Sequence, residues 1–226
     1  MGVGEGIGEA LAKSCLDSGY DVYGVDNRDS QILSTKINYF FHAVDLANTD
    51  LIQDNLKDFV DNHHFDLVIL NGGYLGDIED LSESFLDELK HTMDMNVWNI
   101  KQFIDCLDLH STVDQFVILD SGISIGHSKG WGGYTISKAA LTALIKIYAE
   151  EKPWAHFSMV SPGVIMTPAI KKIFETVDLE LYPSVQRIKD GPVLTPDHAA
   201  GRLVDAFGII KNYKSGSYLD IRTIKF

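Results

Sequence analysis

A chain of 226 residues, 45% hydrophobic and 10% aromatic, can enclose one core, and a single domain over 1–226 is expected. Its formal charge of −13, from 32 acidic against 19 basic residues, excludes the basic face that nucleic-acid phosphates require. No apolar run approaches the ~20 residues of a membrane span, the start has no basic-then-apolar signal layout, and the two cysteines, Cys15 and Cys106, sit in apolar helical patterns, so no membrane partner and a reduced, cytoplasmic setting are expected.

Ile7, Ala10, Leu11 and Cys15 fall on one stripe and predict a helix over residues 5–18, closed by Ser18-Gly19. A strand follows over 21–26, then a strand over 39–43, a helix over 50–62 and a strand over 67–70. A long helix over 84–109 precedes a strand over 115–119, a helix over 134–151 and a strand over 156–160. The helix over 196–210 and the strand over 217–220 complete the series. Alternation on this scale predicts parallel strands joined by crossover helices: an α/β, doubly wound, mostly parallel sheet with helices on both faces. Ligands of such sheets bind beyond the carboxyl ends of the strands. Those ends read Asp26, Asp45-Leu46, Asn71-Gly72-Gly73, Asp120-Ser121-Gly122 and Ser161-Pro162-Gly163, small or polar each time.

Gly2, Gly4, Gly6 and Gly8 precede a helix whose free N–H groups and positive dipole end attract phosphate. The spacing is Gly-x-x-x-Gly-x-Gly, with Ile7 where the third glycine of Gly-x-Gly-x-x-Gly would fall, and a plain turn is the competing reading. Asp26, 18 residues after Gly8 at the end of the next strand, stands where a carboxylate takes ribose hydroxyls. A carboxylate there repels a 2′-phosphate and favours NAD over NADP, and the nearby Arg28 can partly reverse that preference.

Tyr134 and Lys138 are one helical turn apart, a phenol and an ammonium able to act together. Tyr148 and Lys152 share that spacing, and an ordinary helix surface is expected for them. Tyr134 follows a glycine-rich stretch near the strand ends, whereas Tyr148 is about four turns further along. A phenol with an ordinary pKa of ~10 must be tuned toward neutrality to exchange protons usefully, and an ammonium supplies such a field. Ser121, thirteen residues before Tyr134, can hold a substrate oxygen.

Gly2-x-x-x-Gly6-x-Gly8, Asn71-Gly72-Gly73, Asn96, Ser121, Tyr134-x-x-x-Lys138 and Pro162-Gly163-Val164-Ile165-Met166-Thr167 occur in the order and approximate spacing of the short-chain dehydrogenase/reductase family. The sequence resembles that Rossmann-like family over nearly its whole length. The resemblance implies an NAD(P)-dependent oxidoreductase acting on a small carbonyl or alcohol. It implies that Tyr134 is the general acid/base, that Lys138 binds the nicotinamide ribose and lowers the tyrosine pKa, that Ser121 orients substrate, and that Asn96 holds a relay water. Asp45 and Leu46 correspond to an adenine-contacting pair, and the backbone around Ile165 with Thr167 to a carboxamide clamp. The helices over 84–109 and 134–151 would pair between subunits of a homodimer or homotetramer. The competing reading is a catalytically silent dinucleotide-binding or interaction protein on the same fold.

The sequence departs from the family in three places. The family's first strand, central in its sheet, is absent before Gly2, so either a longer chain precedes Met1 or the two neighbouring strands close the gap. Asp120 stands where a serine is common, and residues 221–226 replace a glycine-ending tail. Residues 169–193, with Ile170, Ile173, Phe174, Leu181 and Tyr182, are the expected substrate lid and suit a partly hydrophobic substrate. Trp131 either lines that pocket or anchors its loop. The eight histidines show no ligand spacing for a metal, and His63-His64 reads as a solvated turn.

Overall fold

The computed structural model describes residues 1–124 and 126–225, so Phe226 of the atypical tail lies outside the described residues. Helix α1 (Gly6–Asp17) leads into β1 (Val22–Asp26), which pairs in parallel with β2 (Tyr39–Ala43). After α2 (Ile52–Val60) come the short β3 (His64–Phe65) and β4 (Val68–Leu70). The helical stretch expected over 84–109 is two α-helices, α3 (Leu86–Met93) and α4 (Asn99–His110), joined by a π-helical turn at Asp94–Trp98. Strands β5 (Thr112–Val113) and β6 (Gln115–Leu119) lead to α5 (Gly132–Glu151), β7 (His156–Ser161) and β8 (Val164–Ile165). Helices α6 (Pro168–Thr176) and α7 (Pro183–Asp190), strand β9 (Val193–Leu194), α8 (Pro196–Ile210) and β10 (Ser217–Asp220) complete the chain.

The main sheet runs β10-β7-β6-β4, all parallel, and β1-β2 form a separate parallel pair. Every residue of β6 is buried, as a strand covered on both faces requires. One core cluster packs α2, α4 and α5 on the sheet through Leu56, Ile100, Phe103, Leu141, Ile145 and Phe157. Helices α1 and α8 cover the opposite face through Leu11, Ala200, Leu203 and Ala206, where alanines permit close approach. These are the two helical layers that alternation predicts.

Strands β1 and β4 do not pair with each other, so the gap expected from the absent strand is not closed by its neighbours. Met1 and Gly2 bridge its upper end: the Met1 amino group donates to Ile69 O at 2.9 Å, and Gly2 N donates to Val25 O at 2.8 Å. Below them a cavity of about 490 Å³ is lined by Leu11, Val25, Leu56, Phe59, Leu70 and Phe103. The glycine turn is thereby held at the carboxyl ends of β1 and β4.

Tyr148 corrects the surface expected for it. It is 6% exposed, stacks on Phe157 and donates to Asp105 of α4. Lys152 pairs with Asp108 of the same helix, so this second tyrosine and lysine tie α5 to α4. Cys15 and Cys106 are buried free thiols, with burial pushing both up to about 11, as small core side chains should be. His64 is exposed and bonds Thr112, and His63 stacks on Phe65.

Candidate active site

The glycine turn is shaped by close backbone approach. A Cβ on Gly8 would lie 1.6 Å from Gly2 O, and one on Gly2, at φ +79, would lie 1.9 Å from Asn71 O. Asn71 secures the turn, its Nδ2 donating to Gly2 O at 3.0 Å. Gly6, at φ +66, is different: a Cβ there would meet only the Thr167 methyl, at 3.7 Å. Its open face and the N-terminus of α1, which has no side-chain cap, leave backbone N–H groups directed at the crevice. Asp26 sits beside this turn, accepting from Gly4 N at 2.9 Å and Asn27 N at 2.7 Å, while the exposed Arg28 pairs with Glu5. These features fit a dinucleotide pyrophosphate with an adenosine ribose near Asp26. Asp45 is exposed and caps its own turn at Ala47 N, whereas the Leu46 side chain is committed to the core.

Three successive residues at the end of β6 each grip one face of α5. Leu119 O accepts from Lys138 Nζ at 3.1 Å, Asp120 Oδ2 accepts from Thr142 Oγ1 at 3.0 Å, and the Ser121 hydroxyl hydrogen-bonds the Tyr134 phenol. Tyr134, Lys138 and Thr142 recur every four residues, so one helix face carries all three. Lys138 is 2% exposed; its ammonium also approaches Gly72 O at 3.5 Å and lies 5.8 Å from the Tyr134 ring centroid.

Burial pushes the Tyr134 phenol well above its ordinary range. The hydrogen bond from Ser121 opposes that rise, and the negative charge of Asp120 adds to it, as does the neighbouring phenol of Tyr218. Burial pulls Lys138 down, and the Asp120 charge resists. The hydrogen bond tuning the phenol in this structure therefore comes from Ser121, with the Lys138 ammonium turned to main-chain carbonyls.

Asn96 is 0% exposed and lies in the π-helical turn, where such irregularities commonly mark functional positions. Its Oδ1 accepts from Tyr74 N at 2.6 Å, and its Nδ2 donates to Tyr74 O and Ser137 Oγ, each at 2.8 Å. Ser137 in turn donates to Tyr134 O. Both amide N–H groups are thus committed to fixing α5 and the segment after β4.

On the far side, Pro162 is buried, Gly163 turns at φ +85, and Ile165 packs in the same core cluster as Ile7. Thr167 caps α6, accepting from Ile170 N at 3.3 Å. The segment 169–193 covers α7 and all of α6 but its first residue, and its apolar residues Ile173, Tyr182 and Val185 cluster with Trp131, Ile78 and Tyr134. Trp131 anchors its loop, Nε1 donating to Ser184 Oγ at 3.0 Å, and its ring lies 6.2 Å from the Tyr134 ring. Sequence reasoning missed Tyr74, Thr142 and Tyr218. Only Thr142 carried a signal, the continued four-residue repeat.

A parallel sheet with an uncapped glycine turn at its crevice, facing a serine, tyrosine and lysine gathered from β6 and α5, defines an α/β oxidoreductase. The family model for short chain dehydrogenase matches residues 1–178, and the chain belongs to that family. Family members use NAD(P). The chain is 25% identical to benzil reductase ((S)-benzoin forming) of Bacillus subtilis, over 98% of this chain and 96% of that protein. It is 26% identical to a benzil reductase of Saccharomyces cerevisiae, over 78% and 74%. A carbonyl reductase from Pseudomonas aeruginosa shares the fold at a TM-score of 0.79, with 20% identity over 100% of this chain and 96% of that one. A short chain dehydrogenase from Shigella flexneri complexed with NADP does so at 0.79, with 22% identity over 98% and 94%. Among the described residues no helix is long and apolar enough to cross a membrane.

Proposed function

We propose that this oxidoreductase reduces a bulky, largely apolar ketone or 1,2-diketone with NAD(P)H, reversibly, using Tyr134 as general acid/base. The observation that carries the reading is the convergence of Ser121 and Lys138 on Tyr134 beneath an aromatic lid. A nicotinamide held in the crevice would supply hydride chemistry at the carbonyl carbon. Ser121 orients the carbonyl oxygen, Tyr134 donates its phenolic proton to that oxygen, and Lys138 stabilises the resulting phenolate and binds the nicotinamide ribose. Asn96 contributes by clamping Tyr74 and Ser137.

Gly2, Gly6, Ile7 and Gly8 would cradle the pyrophosphate, Asp26 the adenosine ribose, and Asp45 with Leu46 the adenine. Asn71 and Gly72 would border the ribose, with Pro162, Gly163, Ile165 and Thr167 on the carboxamide. Asp26 favours NAD, because its carboxylate repels a 2′-phosphate. Trp131, Tyr182, Ile173 and Val185 form a buried apolar cluster against which Tyr134 packs, a neighbourhood that suits an apolar substrate and is consistent with relatives named for reducing benzil. Exposed Phe85, Leu86, Trp98, Ile136 and Ile147 on the helices after β4 and β6 support a homodimer or homotetramer.

The test is consumption of NADH and NADPH with benzil, a monoaryl ketone and a short aliphatic ketone. Turnover fastest with benzil and higher kcat/KM for NADH is expected. Turnover of the aliphatic ketone alone would refute the substrate reading, and none with any carbonyl would favour a silent binder.

A further inference from the structure

Asp120 is a buried carboxylate, 5% exposed, delivered by the wholly buried strand β6 to the centre of the site. Its Oδ1 accepts from Ser121 N at 2.7 Å, its Oδ2 accepts from Thr142 Oγ1 at 3.0 Å, and its own N–H donates to Val160 O of β7 at 2.9 Å. It is therefore the middle of the three clasps between β6 and α5, flanked by the residue that holds Lys138 and the residue that holds Tyr134. Two charge-favouring hydrogen bonds stabilise the ionised carboxylate at this depth. A buried ammonium needs a counter-charge, since burial alone favours its neutral form.

Resting on the oxidoreductase reading above, we propose that Asp120 is a positioning residue that fixes the charge state of the Tyr134 and Lys138 pair: it keeps Lys138 cationic and Tyr134 protonated, and so biases the site toward carbonyl reduction. The signs follow from charge alone. A carboxylate stabilises a neighbouring ammonium and destabilises a neighbouring phenolate, so it raises both groups together. Among the described residues the other ionisable group facing the pair is Tyr218 of β10, which hydrogen-bonds Ser161 of β7, with the Asp220–Arg222 pair beyond it. From the α3–α4 side the neighbour is Asn96, which is neutral and reaches the face through Ser137.

The experiment compares the pH profiles of wild type, Asp120→Asn and Thr142→Val in both directions of reaction. Asparagine keeps the shape and an acceptor for Ser121 N while removing the charge. In Asp120→Asn the rising limb of alcohol oxidation should move down by ~1 pH unit or more, and reduction should fail at lower pH than in wild type. Thr142→Val keeps the charge and should leave both limbs in place with a lower kcat. An active Asp120→Asn variant whose limbs coincide with wild type would overturn the inference while leaving the oxidoreductase reading intact. Absence of wild-type turnover would count against that reading instead. NMR titration of ¹³C-labelled lysine follows the Lys138 charge without turnover: a lowered midpoint in Asp120→Asn supports the inference, and an unchanged one overturns it. If Asp120→Asn does not fold, Asp120→Ser, whose hydroxyl is also uncharged, carries the same expectations.

Discussion

Replacing Asn96 with alanine separates a clamp from a water ligand. The side chain makes three hydrogen bonds in a fully buried position: one accepted from Tyr74 N, one donated to Tyr74 O and one donated to Ser137 Oγ. Alanine leaves these partners without that amide, and each buried polar group so stranded costs ~1–3 kcal/mol. One fully stranded donor and two partly relieved acceptors give about 3 kcal/mol. At ~2–4 °C per kcal/mol for a chain of this size, the melting temperature should fall by ~6–12 °C. Asn96→Asp should do no better, because it retains the acceptor for Tyr74 N, loses both donors and buries a charge. Thermal unfolding followed by circular dichroism reads the effect, with turnover measured below the transition. A melting temperature within ~3 °C of wild type, estimated on the same scale, combined with a large loss of kcat, would refute the clamp and return Asn96 to holding water.

Gly8→Ala should abolish dinucleotide binding by calorimetry, because its Cβ would sit 1.6 Å from Gly2 O and the turn would have to open. Trp131→Phe removes the bond to Ser184 that anchors α7, and should cost ~1 kcal/mol of stability and raise KM for bulky ketones while small ones change little. Asp220 is held below the usual carboxylate range chiefly by its hydrogen bond from Arg222. Its folded-state value is thus depressed, so its stabilisation is complete above the ordinary carboxylate pKa and is lost as pH falls through the depressed value. Melting temperatures from pH ~5 to ~3 should decline less steeply in Asp220→Asn than in wild type.

The alternating elements were legible because each strand and helix carries its own period. The stripe of Ile7, Ala10, Leu11 and Cys15 is local information, as is the buried run of β6. Ser121, Tyr134 and Lys138 were legible by order along the chain, and their convergence follows from consecutive α/β placement. What could not be read depends on partners distant in sequence. Tyr148 looked like surface because Asp105, which receives its hydroxyl, lies 43 residues earlier. The break at Asp94–Trp98 was hidden for a similar reason: the apolar pattern continues through it, and the Asn96 partners Tyr74 and Ser137 lie 22 and 41 residues away. The main-chain partners of the Lys138 ammonium were equally hidden, since Leu119 O and Gly72 O lie 19 and 66 residues earlier.

Tyr134→Phe tests the central claim most directly, because it removes one hydroxyl from a half-buried ring that otherwise keeps its packing against Trp131. Carbonyl reduction should fall at least ~10²-fold, the scale of a lost general acid, while NADH affinity measured by calorimetry stays within a few-fold of wild type. Retained turnover in the phenylalanine variant would contradict the assignment of Tyr134 as the proton donor.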